Sequence, residues 1–244
     1  MMISVVFSTG AVHGQSTEVK KESRTGYRNT IKLNLTSILL LDHSLQFGYE
    51  RVLNKKQSLN ITAGYSEFPM NLNLNLDNTT LGGSKNKSGF VLGAEYRFYL
   101  AKENKYAIPH GVYLAPFVNF YSFRNNRLLQ YNNAGAVQSG TLDTRLNWIS
   151  VGGEMGYQFV LGKRWVIDGV LFGPALTRYH LNAKIGGNLS GINENETIKA
   201  VFDALKEKLP LLDKLVNDGE VNTSGTESFW AAGFRYNISV GFRF

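Results

Sequence analysis

The chain has 244 residues, of which 18% are charged, with a formal charge of +7, 25 glycines and no cysteine. That length suits one β domain or two small ones, and the lack of cysteine excludes a disulfide framework or a thiolate metal site. No apolar run reaches the roughly 18 residues of a spanning helix, and the positive charge is spread over turns and loops instead of forming a stripe, which argues against nucleic acid as a partner.

Residues 1–14 read as a signal peptide. Val5, Val6 and Phe7 open a short apolar core that runs to Ala11, and Val12-His13-Gly14 forms a small-residue cleavage site before Gln15. No Lys or Arg precedes that core. Residues 15–27 read as a polar tether, and residues 28–244 as the folded part.

From there the period of hydrophobicity is two, the signature of β-strands. Eight strands are predicted, over Thr30 to Ile38, His43 to Leu53, Ser58 to Glu67, Ser88 to Leu100, Gly111 to Phe123, Leu146 to Leu161, Trp165 to Thr177 and Ser228 to Phe244. The last is the most regular. Trp230, Ala232, Phe234, Tyr236, Ile238, Val240, Phe242 and Phe244 share one face, and Gly233, Arg235, Asn237, Ser239, Gly241 and Arg243 share the other. A strand that divides an aromatic apolar face from a charged one reads as part of a transmembrane barrel. A bilayer requires such a sheet to close on itself, because unpaired backbone groups are not tolerated in lipid.

A glycine followed two residues later by a charge on the same face recurs in four strands: Gly48 with Glu50, Gly93 with Glu95, Gly152 with Glu154, and Gly233 with Arg235. Pro116 and Pro174 cannot donate to a ladder, so each predicts a bulge or a break. The connections alternate in length. Asn54 to Gln57, Ala101 to His110 and Gly162 to Arg164 form one rim of shorter, cationic turns, while Phe68 to Lys87, Arg124 to Arg145 and Arg178 to Glu227 form the opposite rim. Leu39 to Asp42 is a short exception on the long-loop rim. Short turns on one side and long loops on the other is the outer-membrane pattern, with both termini on the periplasmic side.

Within the longest connection the period changes to that of a helix over residues 193–218. Ile198, Val201, Phe202, Leu205 and Leu209 follow the i, i+3, i+4, i+7 rule, Asn193 with Glu196 resembles a capping box, Pro210 interrupts and Gly219 ends the helix. This apolar stripe is expected to act as a lid packed on the barrel mouth or on neighbouring loops, or as a docking face for another protein or the membrane interface. Leu72, Leu74 and Leu76 suggest that another loop is a hairpin extending above the membrane.

Three segments carry a family resemblance: Thr30-Ile31-Lys32-Leu33-Asn34-Leu35, Leu45-Gln46-Phe47-Gly48-Tyr49-Glu50-Arg51, and Val240-Gly241-Phe242-Arg243-Phe244. With these the chain resembles the small eight-stranded outer-membrane barrels of the OmpA/OmpX type, and more particularly the uncharacterised outer-membrane β-barrel families of Bacteroidetes. The resemblance implies a fold and a compartment, with no agreed activity. It also implies that Phe242 and Phe244 form a barrel-assembly signal read by the insertion machinery during biogenesis.

If the apolar faces meet lipid, the lumen receives Lys32, Glu50, Glu95, Arg97, Glu154, Asp168, Arg235 and Arg243, four acids against four bases. An eight-stranded barrel is just wide enough to be filled by its own side chains, so a neutral ion-pair network is expected there in preference to an open pore. Chemistry is sparsely supported: no metal-ligand spacing, nucleotide fingerprint or phosphate loop is present, and no cofactor is implied. Of the four histidines only His180 is expected just beyond a strand end on the long-loop side, as a solvated loop residue.

The reading is therefore all-β: a monomeric eight-stranded antiparallel transmembrane β-barrel with a short helical insert in the last extracellular loop, embedded in outer-membrane lipid. Its expected role is non-catalytic, displaying loops for surface interaction, adhesion or envelope integrity, with an extracellular or envelope protein as the partner class. A lipid-acting hydrolase using His180 is the alternative, and a soluble ligand-binding barrel is a further one.

Overall fold

The computed structural model describes residues 26–41, 43–67, 75–76, 79–100, 104, 106–133, 136–186 and 226–244. The signal peptide, most of the tether, Leu72 and Leu74, and the helical insert with Ile198, Val201, Phe202, Leu205 and Leu209 lie outside the described residues.

Eleven strands form a single antiparallel sheet: β1 (Asn29–Asn34), β2 (Leu45–Val52), β3 (Gln57–Tyr65), β4 (Asn75–Leu76), β5 (Thr79–Tyr99), β6 (Gly111–Asn133), β7 (Ala136–Leu161), β8 (Trp165–Phe172), β9 (Pro174–Gly186), β10 (Thr226–Phe234) and β11 (Asn237–Arg243). β8 and β9 are consecutive halves of one wall strand, as are β10 and β11, and β4 only pairs with the start of β5. Eight wall strands remain. The ring closes because β11 pairs with both β1 and β8, and β8 pairs in turn with β7.

The alternation sorts as the composition demands. Phe47, Ile61, Leu92, Val118, Val151, Ile167, Leu176 and Ile238 point outward and are exposed, while Lys32, Glu50, Glu95, Arg97, Glu154 and Asp168 point inward and are buried. Apolar side chains outside and charged ones inside invert the pattern of a soluble barrel, and the exposed band is the surface that lipid covers. Among the described residues no helix is long and apolar enough to cross a membrane.

Two expectations about the strands are corrected. The first strand does not reach Ile38: it stops at Asn34, and Leu35–Leu40 turn into a single short helix, α1. The cause is local. The Asn34 side chain accepts from Ser37 N at 3.0 Å, and Ser37 Oγ donates to Asn34 O at 2.9 Å, an arrangement that competes with the ladder and starts a helix. Secondly, much of what reads as loop is strand. β6 and β7 remain paired out to Asn133 and Ala136, and β9 runs to Gly186. The two prolines differ. Pro116 interrupts only the β5 side, where pairing lapses between Glu95↔Phe117 and Phe98↔Leu114 with the register unchanged, while Pro174 begins β9 where the seventh wall strand splits.

Candidate functional site in the barrel lumen

Seven of the eight expected lumen charges converge in the half of the barrel nearer the short turns. Lys32 on β1 lies 2.7 Å from Glu50 Oε2 and 2.6 Å from Asp168 Oδ2. Arg97 on β5 reaches Asp168 Oδ2 at 2.7 Å and Glu95 Oε2 at 2.6 Å, with its guanidinium 4.3 Å from the centre of the Tyr113 ring. Arg235 reaches Glu95 Oε1 at 2.5 Å and Glu154 Oε2 at 2.6 Å. Each cation thus bridges two carboxylates from different strands, the arrangement that makes a buried charge tolerable.

Arg243 does not join them. Its guanidinium donates to Tyr27 O at 2.8 Å, and Arg164 donates from Nε to Tyr27 OH at 3.2 Å, so it belongs to the turn rim. It sits at the end of β11, too far along the barrel axis to reach the cluster. The network is consequently not neutral: four carboxylates face three cations.

Polar neutral residues that charge counting overlooks complete the cluster. Gln158 Oε1 accepts from Lys32 and Arg97 and lies 3.2 Å from the Tyr99 hydroxyl, Tyr113 donates to Asp168 Oδ1 at 2.9 Å, and Glu50 Oε1 accepts from Tyr99 at 2.8 Å and from Ser58 at 2.5 Å. Strand parity could have found them, since Gln158 shares a face with Glu154, and Tyr99 with Arg97. Of the glycines beside the charges, Gly152 has the least room, since a Cβ there would meet Pro174 O at 2.2 Å, and a further glycine serves the network directly. A Cβ on Gly156 would meet Tyr113 OH at 2.3 Å, so the bare backbone there lets the phenol reach Asp168.

Above this plug the lumen widens into a cavity of about 430 Å³, within the range of small-molecule sites. Arg235 forms part of its lining, as do Phe117, Asn119, Tyr121, Trp148, Thr177 and Tyr179. Tyr121, Trp148, Tyr179 and Phe229 form a row of contacting rings across four strands, with centroids 4.7, 5.7 and 5.1 Å apart.

His180 is not a loop residue. β9 carries it on the outward face, directly opposite Ser228 of β10, and its Nδ1 lies 2.7 Å from Ser228 Oγ. Asn147 of β7 is its neighbour on the other side. Among the described residues no carboxylate bonds the imidazole, so a nucleophile and a base are adjacent without an orienting acid. His43 pairs with Glu67 at 3.3 Å, and His110 accepts from Val160 N at 3.2 Å. Among the described residues no group of His, Asp and Glu could hold a metal ion.

A closed antiparallel barrel of eight wall strands, with lipid-facing apolar side chains and a charged, hydrogen-bonded interior, is the architecture of an integral outer-membrane protein. The family model described as Protein of unknown function (DUF3575) matches residues 2–187, and the chain belongs to that family. None of the curated proteins compared with the chain matches it. Among solved structures it is similar to the crystal structure of a major outer membrane protein from Thermus thermophilus, at 9% identity and a TM-score of 0.40, over 90% of this chain and 100% of that one.

Proposed function

We propose that the protein is a non-conducting, non-catalytic monomer that holds a β-sheet platform above the outer membrane for surface interaction. The observation that carries this reading is strand length. β5, β6 and β7 have 21, 23 and 26 residues, against the roughly 9–11 that a tilted spanning strand needs. On β7 the outward apolar band ends at Ile149, and the next outward residues, Asn147, Arg145 and Asp143, are polar. The opposite face of the projecting part buries Phe123, Leu129, Leu142, Leu146 and Leu181, so the platform has a core of its own. Arg124 and Arg145 are exposed and paired directly across the strands, which favours an anionic partner. Phe242 and Phe244 remain the proposed assembly signal.

The platform is tested by cysteine labelling in intact cells with a membrane-impermeant maleimide. Ser139→Cys should label at once, and Lys163→Cys, in a short turn, only after permeabilisation; the reverse pattern would overturn the reading. A hydrolase is the second reading, favoured by the Ser228–His180 contact. Purified protein that releases fatty acid from phospholipid, and loses that activity on His180→Ala, would replace the scaffold reading; absence of turnover would dismiss the hydrolase.

A further inference from the structure

The wall of the barrel is not hydrogen-bonded all the way up. β1 pairs with β11 only from Thr30↔Arg243 to Asn34↔Ser239, and the chain then leaves the sheet as α1. The eighth wall strand continues past that point as β10, which pairs with β9 and, among the described residues, with no strand on its other side. Beside that edge stands α1, tied to β11 by the bond from Ile238 N to Thr36 Oγ1 at 2.8 Å. An open sheet edge at membrane depth is costly unless something satisfies its amides.

The cavity reaches this seam. Its lining includes the inward side chains of Thr62, Phe117 and Trp148, together with Ala232, Phe234 and Tyr236, which belong to the outward face of the same wall. Here the lining takes in every residue from Ala231 to Asn237 together with Leu40 and Leu41 at the end of α1, so the chamber reaches the open edge of β10.

We propose that this cavity binds a single acyl chain, taken sideways from the surrounding lipid leaflet through the seam, with its carbonyl end at the open edge of β10. Three observations select that occupant. The outer side of the seam is apolar, since Leu39 and Leu40 of α1 are 81% and 59% exposed, so the molecules that meet it are lipid tails. Within, aromatic and aliphatic side chains such as Phe117, Trp148 and Val91 alternate with neutral amides and hydroxyls such as Asn119 and Thr177, and the one charged residue of the lining, Arg235, is already bridged by Glu95 and Glu154. At the seam, the edge of β10 that no described strand pairs presents backbone N–H groups, donors that a carbonyl can accept from and a plain hydrocarbon cannot. A flexible chain with one acceptor end meets all three.

The chain has three tryptophans, and Trp165 and Trp230 face lipid while Trp148 lines the cavity. A Trp165→Phe/Trp230→Phe variant therefore reports from Trp148 alone. In vesicles of phosphatidylcholine brominated along its acyl chains, Trp148 fluorescence is expected to be quenched. Thr62→Phe, which fills the chamber, and Ala232→Phe, which narrows the portal from a lipid-facing position, are each expected to reduce the quenching at least twofold. Both should retain the heat-dependent mobility shift of a folded barrel. If either fails to fold, the other still decides. Absence of quenching in the parent, equal quenching in the filled barrels, or quenching by acrylamide instead of brominated lipid would overturn the proposal: the last would mean a water-filled cavity, and the second, tails that remain outside the wall.

Discussion

Arg97 has the most at stake of any residue in the lumen, being 1% exposed and bonded to Glu95, Asp168 and Gln158. Replacing it by Met should leave Glu95 to Arg235 and Asp168 to Lys32, four buried carboxylates against two cations, and lower stability by about 3–5 kcal/mol, read from urea unfolding of the reconstituted barrel. Glu154→Gln should behave differently. It removes the surplus carboxylate of the four-against-three network and keeps an oxygen for Arg235, so a change within about 1 kcal/mol is expected in the same assay. If Glu154→Gln cost as much as Arg97→Met, the charge balance drawn from the geometry would be wrong. Gly156→Ala tests sterics in place of charge. The added methyl would displace Tyr113 from Asp168, for a loss of about 1–3 kcal/mol.

At the scale of elements, the seam depends on α1, and α1 depends on its cap. Asn34 bonds Ser37 N and also Gln46 Oε1, so it both turns the chain and ties the turn to β2. Asn34→Ala should cost about 0.5–2 kcal/mol. If α1 relaxes into strand and seals the seam, the same variant should also reduce access of brominated lipid to Trp148. The platform offers a test with the opposite sign. Arg124 and Arg145 are directly opposed like charges, so Arg145→Glu should raise stability by roughly 0.2–1 kcal/mol, a gain that shrinks at high salt.

The whole molecule divides along its axis into three sections of different chemistry: an ion-pair plug near the short turns, an aromatic chamber above it, and a sheet that projects beyond the apolar band. The plug sets the electrical behaviour. With the lumen bridged from β1 through β5 and β8 to Arg235, planar-bilayer recordings should show no steady conductance, and stable porin-like steps would contradict the filled lumen. The platform is continuous with the wall yet is not required to close it. Replacing residues 125–144 of the β6–β7 hairpin by a short turn should therefore leave the heat-dependent mobility shift intact while abolishing surface capture of a partner. Loss of the shift would mean that the projecting core helps to hold the barrel shut.

Alternation alone determined the strands, their faces and the charges that enter the lumen. A period of two leaves a single way to place Trp230 to Phe244 against lipid, and a barrel this narrow forces Lys32, Glu50, Arg97 and Asp168 into mutual reach. What alternation could not determine is how far each charge lies along the axis. That depends on register and tilt between strands distant in sequence, which is why Arg243 shares the face of the network and yet sits at the rim. Neutral partners such as Gln158 and Tyr113 lie on the inward face by parity but carry no charge to single them out, and their bonds to the network were set only when β5, β6 and β7 were laid side by side. The ends of the strands were also beyond reach: β6 and β7 support each other past Phe123 through cross-strand pairing, whereas Asn34 breaks β1 by a side-chain bond to its own backbone. The seam and its cavity belong wholly to the tertiary structure, because they arise where one strand stops while its neighbour goes on.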